Sequence, residues 1–341
     1  MLVQLQYLRA IAALLVVYFH AILQLAKVNP AIDATAFTYG ETGVDIFFVL
    51  SGFVMWLTTS GRATTPVDFA RKRIRRIVPL YWLATLFSAL VALVAPSLLK
   101  STAFDLPHLM ASMLFLPWIN PVDTTMIVPV IVPGWTLNYE MFFYFVFALL
   151  LPIREDYRLP ALFGAFLAIL IVCHLLPETT ATKFYGEPII LEFLAGAALG
   201  WLYGQKLLLP PRWAWVLLAV AFVFLFVNEA LVRPEDRYYG WGIPALFIVY
   251  SAISIDFSKL PIVGWLNYLG NASYEIYITH AFTLAFLRIV ANRFPIGALQ
   301  QPVVFVILCL VLSCIVGAII HEIVTPRRKV RIASRPAADL G

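Results

Sequence analysis

The sequence predicts an all-α, polytopic membrane protein with about ten transmembrane helices and both termini in the cytoplasm. Three observations carry this expectation. Of 341 residues, 62% are hydrophobic and only 13% charged, with a mean hydropathy of +0.88. Soluble domains run nearer about half apolar and about a quarter charged, so a soluble fold could not hide this much apolar surface. Apolar segments follow one another from end to end, and basic residues gather in alternate connections.

A span needs roughly 20 mostly apolar residues. Ten segments meet that need, at 5–26, 43–60, 77–96, 134–153, 159–177, 186–204, 212–229, 239–255, 269–291 and 301–323. The first carries an arginine and a histidine and is followed by no small-residue cleavage site, so it reads as a retained span rather than a signal peptide. The stretch "HLMASMLFLPWI" (108–119) is too short to span and reads as a re-entrant or interfacial piece. No compositional break divides the chain. The expected organisation is a transmembrane domain over 1–325 and a basic cytoplasmic tail over 326–341.

Lysine and arginine fix the orientation, because they are retained on the cytoplasmic side. The connection "RATTPVDFARKRIRR" holds Arg62, Arg71, Lys72, Arg73, Arg75 and Arg76, and the tail holds Arg327, Arg328, Lys329, Arg331 and Arg335. An even number of spans puts both inside, and alternation then leaves 17 of the 24 basic residues on the cytoplasmic side. The longest outer connection is 97–133. The net charge of +5 therefore reports topology rather than nucleic-acid binding. Cys173, Cys309 and Cys314 lie in apolar runs, with no CxxC or Cys/His cluster, so neither a disulfide framework nor a metal site is expected.

Ionisable residues inside spans are costly and therefore candidates for function. In "LRAIAALLVVYFHA", Arg9 and His20 stand eleven residues apart. At 100° per residue they return to within about 20° of one direction, and at 1.5 Å per residue they lie about 16 Å apart. One helix face thus offers a cation at the cytoplasmic boundary and a titratable base deeper in. A snorkelling arginine and a histidine satisfied by a carbonyl is the alternative reading. Asp45 opens span 2 in "GVDIFFVLSGF", as a site carboxylate or as a helix cap. In "PGWTLNYEMFFY", Trp135, Asn138, Tyr139 and Glu140 begin span 4, with Glu140 at a depth similar to His20. A carboxylate in reach of a histidine orients it and raises its basicity. Arg73 and Arg76 share a helix face leading into span 3, and guanidinium groups bind phosphate bidentately. In "ASYEIYITH", Ser273, Tyr274 and His280 sit in the first half of span 9, as site residues or as polar contacts between helices.

Taken together, these motifs resemble the acyltransferase-3 family of polytopic enzymes that O-acylate extracytoplasmic carbohydrate. The resemblance rests on the Arg9…His20 spacing, "GVDIFFVLSGF", the RxxR of Arg73 and Arg76 before "IVPLYW", "WTLNYEMFFY" and "ASYEIYITH", in that order. It is nearest to the stand-alone exopolysaccharide O-acetyltransferase branch, since no hydrolase-like domain follows span 10. The span-4 motif departs from the family at Asn138, where serine is common. The resemblance implies acetyl-CoA as donor, bound from the cytoplasm with its phosphates held by Arg9, Arg73 and Arg76. It implies His20 as the catalytic histidine and matches Glu140 and Asp45 to acidic motif residues. Trp135, Asn138, Tyr139, Ser273, Tyr274 and His280 are the expected acceptor-side residues. The implied acceptor is a saccharide hydroxyl, free or lipid-linked, and the implied address is a bacterial inner membrane with lipid as the surrounding partner.

The expected chemistry is deprotonation of a sugar hydroxyl by His20, oriented by Glu140 or Asp45, followed by attack on the acetyl thioester; a relay through acylated His20 is the variant. The rival is a carrier or flippase for a lipid-linked saccharide. It explains the spans and the intramembrane charges, but it does not require arginines aligned with Arg9.

Overall fold

The structure is a computed structural model that describes residues 2–34, 38–99, 102–229, 238–257, 263–294 and 297–325. The basic tail 326–341 lies outside these residues. The described chain is helical, with a single isolated bridge, Ile119 to Ile127, in place of any named strand.

In order, the helices are α1 (Val3–Ala26), α2 (Thr42–Thr59), α3 (Pro66–Val94), α4 (Leu106–Met113), α5 (Trp135–Leu150), α6 (Glu155–Leu175), α7 (Thr180–Tyr185), α8 (Leu191–Gly204), α9 (Pro211–Glu229), α10 (Ile243–Ser254), α11 (Gly264–Asn271), α12 (Ser273–Arg293), α13 (Gly297–Gln300) and α14 (Pro302–Val324). A helix stands at each of the ten segments expected from hydropathy. Five helical stretches are long and apolar enough to cross a membrane: Val3–Ala26, Tyr39–Thr59, Pro66–Val94, Glu155–Leu175 and Pro302–Val324. The others are shorter, or, like α12 with its serine, tyrosines, threonines and histidine, less apolar.

Three boundaries differ from the hydropathy pattern, each for a local reason. Helix α3 begins at Pro66, well before the apolar run at 77. Thr65 caps it by accepting from the Asp68 amide at 3.1 Å, and Pro66 suits the first helical position. The basic cluster is therefore helical, and Pro79 lies inside the same helix. The segment expected at 269–291 breaks at Ala272 into α11 and α12. Gly270 permits close approach to α1 here, since a Cβ would come within 2.1 Å of the Gln6 carbonyl oxygen. The third is the outer connection, in which α4 packs beside the middle of α3. Tyr81 donates to Ser112 O at 3.1 Å and Trp82 to Met113 O at 2.8 Å. Val128, Val130 and Ile131 are buried as the chain returns to α5.

Contacts between helix ends show the direction of each helix. Gly61 N, in the α2–α3 turn, donates to Glu155 Oε2 at the start of α6 at 2.8 Å, and Ser60 also donates to Glu155. Ser254, at the end of α10, receives the Leu209 amide from the α8–α9 turn at 3.2 Å. Tyr7 of α1 receives the Val263 amide before α11 at 2.8 Å. These connections gather at the end of the molecule that holds the N-terminus of α1. At the opposite end, Arg288 of α12 donates to Leu98 O after α3 at 3.0 Å.

The closest helix pair is α2 with α8. A Cβ on Gly52 would meet the Phe193 carbonyl oxygen at 2.0 Å, and one on Gly196 would meet that of Val49 at the same distance. Small residues allow such approach where, as between lipid-embedded helices, no hydrophobic effect drives association. Phe193 stacks on Phe48 of α2 (centroids 4.5 Å) and on Phe143 of α5 (4.6 Å), so one buried ring joins three helices.

Candidate active site

Helices α1, α2, α3, α5 and α12 enclose a cavity of about 100 Å³. Its polar lining includes Arg9 of α1, Ser51 of α2, Arg73 and Arg76 of α3, Glu140 and Tyr144 of α5, and Ser273 and Tyr274 of α12. Three guanidinium groups thus face one carboxylate. Arg9 lies within electrostatic range of Arg76, Glu140 and Glu275. Arg73 is held over the rings of Phe69 (5.5 Å) and Tyr144 (5.6 Å), a cation–π placement that orients the fork while its Nε stays without a partner. None of the three arginines forms a salt bridge among the described residues. Such a cavity is prepared for an anion, and planar forks favour phosphate.

Glu140 is the centre of a small network. Its Oε1 accepts from Ser51 Oγ at 2.9 Å and from the Tyr144 hydroxyl, and the Ser51 and Tyr144 oxygens are 3.2 Å apart. Tyr144 follows Glu140 by four residues, so one helical turn stacks the two on one face of α5.

His20 is not in this cavity. It lies beside His280 of α12, with ring centroids 4.9 Å apart. His20 Nδ1 donates to Val16 O at 2.9 Å, and His280 Nδ1 donates to Tyr277 O. A carbonyl only accepts, so in both rings Nδ1 carries a proton, and in the neutral ring Nε2 keeps its lone pair. His280 is fully buried, and its Nε2 has no hydrogen-bond partner among the described residues. Tyr277 connects the two regions: its ring lines the cavity, packs on Phe47 at 5.8 Å and lies 5.8 Å from the His280 ring. Its hydroxyl is fixed by Pro133 O and Thr136 Oγ1, both at 2.8 Å.

Of the residues expected from sequence, Arg9, Arg73, Arg76, Glu140, Ser273 and Tyr274 meet at the cavity, while His20 and His280 meet beyond Tyr277. The hydrogen bonds of Glu140 run to Ser51 and Tyr144 rather than to His20, whose ring is oriented by Val16 O and packed on His280. The descent of 114–134 toward the middle of α3 brings the start of α5, and with it Glu140, to the arginines. Asp45 is fully buried in the first turn of α2, where the helix dipole favours a carboxylate, and does not line the cavity. Trp135, Asn138 and Tyr139 turn elsewhere. Asn138 donates to Leu116 O at 3.4 Å, Tyr139 donates to Phe184 O at 2.7 Å and stacks on that ring, and Trp135 packs edge-on against Phe48 and Tyr139. Sequence reasoning missed Ser51, Tyr144 and Tyr277 as site residues. The four-residue step from Glu140 to Tyr144 was a readable signal for one of them.

The fold and site define a class: a multi-pass membrane protein with an arginine-lined internal cavity and, beyond it, a histidine pair of which one ring is fully buried. The acyltransferase-3 profile, described as "Acyltransferase domain", matches residues 2–322, and the chain belongs to that family; it is a membrane O-acyltransferase. It is 38% identical over 267 residues to "Exopolysaccharide production protein ExoZ" of Rhizobium meliloti (strain 1021), covering 77% of this chain and 82% of that protein. It is 32% identical over 117 residues to "Acyltransferase MdmB" of Streptomyces mycarofaciens, covering 33% of this chain and 28% of that one. No solved structure matches the chain.

Proposed function

We propose that this acyltransferase moves an acetyl group from acetyl-CoA, entering from the cytoplasm, to a hydroxyl of an extracytoplasmic saccharide, free or lipid-linked, during production of an exported polysaccharide in a bacterial inner membrane. The observation that carries this is the cavity lined by Arg9, Arg73 and Arg76, three cations without salt-bridge partners among the described residues. They suit the phosphates of CoA, and they stand at the end of the molecule that the basic connections assign to the cytoplasm. The likeness to ExoZ, whose name refers to exopolysaccharide production, supports the class of acceptor.

In this reading, His20 is the general base. Its Nδ1–H is committed to Val16 O, which leaves Nε2 to take the proton of the acceptor hydroxyl as that oxygen attacks the acyl carbon. His280 lies alongside, able to share the positive charge that His20 gains. Glu140 works on the donor side, holding Ser51 and Tyr144 in the cavity wall.

The test is His20→Ala in the full-length protein. Acetylation of the exported polysaccharide is expected to vanish while binding of CoA to the purified variant persists. Retained acetylation at normal protein levels overturns the role of His20, and failure of the unmodified protein to bind CoA overturns the donor.

A further inference from the structure

We propose that Ser51 is an acyl-carrying nucleophile, so that transfer proceeds through a serine ester inside the membrane. This rests on the reading of the arginine cavity as the site of acetyl-CoA. Three observations point to Ser51. It lines that cavity together with all three arginines, so a thioester whose phosphates they hold meets Ser51. Its Oγ donates to Glu140 Oε1 at 2.9 Å, which places a carboxylate base on the proton that must leave. His20, by contrast, lies on the far side of Tyr277, against His280. His20 is therefore not placed to activate a nucleophile at a thioester in the cavity, whereas Glu140 is.

Apart from the phenol of Tyr144, which shares the Glu140 carboxylate, the other hydroxyls at the cavity are less suited. Thr136 is engaged by Tyr277 and Pro133, Tyr274 donates to Ile77 O at 2.6 Å, and buried Ser273 Oγ has no hydrogen-bond partner to act as base. No cysteine lines the cavity. Phe47, one turn before Ser51 on α2, packs on Tyr277, so the face that would bear the ester leads toward the histidine pair.

The steps balance. Ser51 Oγ attacks the thioester carbonyl carbon while its proton passes to Glu140. The carbon–sulfur bond breaks, and the sulfur leaves with that proton as the CoA thiol. An acceptor hydroxyl, deprotonated by His20, then attacks the ester carbonyl. The bond to Ser51 Oγ breaks, and that oxygen recovers the proton from His20.

If His20 serves only the second step, removing it traps the first product. Full-length His20→Ala protein in lipid nanodiscs, incubated with acetyl-CoA, acid-quenched and peptide-mapped by mass spectrometry, is expected to carry one acetyl group on Ser51. The double variant with Ser51→Ala is expected to carry none. Ser51→Ala alone should bind CoA as the unmodified protein does yet transfer more slowly by on the order of a hundredfold, and Ser51→Cys should retain part of the rate. An acetyl group on another residue overturns the proposal, as does no acetyl group while CoA binds. No CoA binding by the unmodified protein overturns the donor reading instead.

Discussion

Arg73 shows how a single residue is tuned for an anion. Phe69 and Tyr144 flank its guanidinium and Nη2 makes a long contact of 3.4 Å to Thr58 Oγ1, whereas Arg158 of α6 gives Nη2 to the carbonyls of Leu151 and Ile153. A charge-assisted contact to phosphate contributes about 1.5–3 kcal/mol. Arg73→Ala should therefore raise the KM for acetyl-CoA by roughly ten- to a hundredfold. Arg73→Lys should recover only part of the loss, because an ammonium neither forks nor stacks as a guanidinium does. Steady-state kinetics on purified protein read both; an unchanged KM would remove Arg73 from the donor site. His280 calls for the opposite signature. His280→Phe fills the same space without a lone pair, so the maximal rate should fall by on the order of tenfold or more while the KM for acetyl-CoA stays put. The arginines were legible in the sequence because charge inside an apolar run is costly. Ser51 was not, because a serine beside glycine in a span reads equally as helix-packing polarity, and only the approach of α5 supplies its partner Glu140.

At the scale of elements, the α2–α8 pair does most to hold the cavity wall in place. Helix α2 brings Phe47, Phe48, Ser51 and Val54 to the cavity, and its opposite side meets α8 at near backbone contact. Gly52→Val would press methyl groups into the Phe193 carbonyl, 2.0 Å from an added Cβ, and neither backbone has room to retreat. Overpacking typically costs about 1–3 kcal/mol, and shifting α2 moves Ser51 away from Glu140 as well. A lower melting temperature in detergent together with weaker CoA binding is expected, whereas Gly164→Val, at a glycine with open space around it, should change neither. Hydropathy placed each of the long helices because twenty apolar residues leave few alternatives. It missed the helical start of α3, which is set by a cap and a proline rather than by apolarity, and the break at Ala272, which is set by how closely Gly270 meets α1.

For the whole molecule, α5 tests what length a crossing helix needs. Sixteen residues rise about 24 Å, less than the roughly 30 Å of a bilayer core. Yet the α2–α3 turn hydrogen-bonds Glu155 through Ser60 and Gly61, so the far end of α5 returns to the end of the molecule from which α3 departs. The buried segment 128–134 meets α5 part of the way in, and a shorter helix then suffices. This arrangement predicts sidedness at three exposed positions. Single cysteines introduced at Gly61, Thr124 and Glu178, in a background where Cys173, Cys309 and Cys314 are replaced by alanine, should react with a membrane-impermeant maleimide from opposite faces: Gly61 from the cytoplasm, Thr124 and Glu178 from outside. Glu178 is decisive. If only the five long apolar helices cross, α6 starts outside and carries Glu178 to the cytoplasm; if α5 also crosses, α6 starts inside and carries it out. Cytoplasmic labelling at Glu178 would therefore show that α5 does not cross, and outside labelling would support α5 as a crossing despite its length; labelling of Gly61 from outside would turn the arginine cavity away from cytoplasmic CoA.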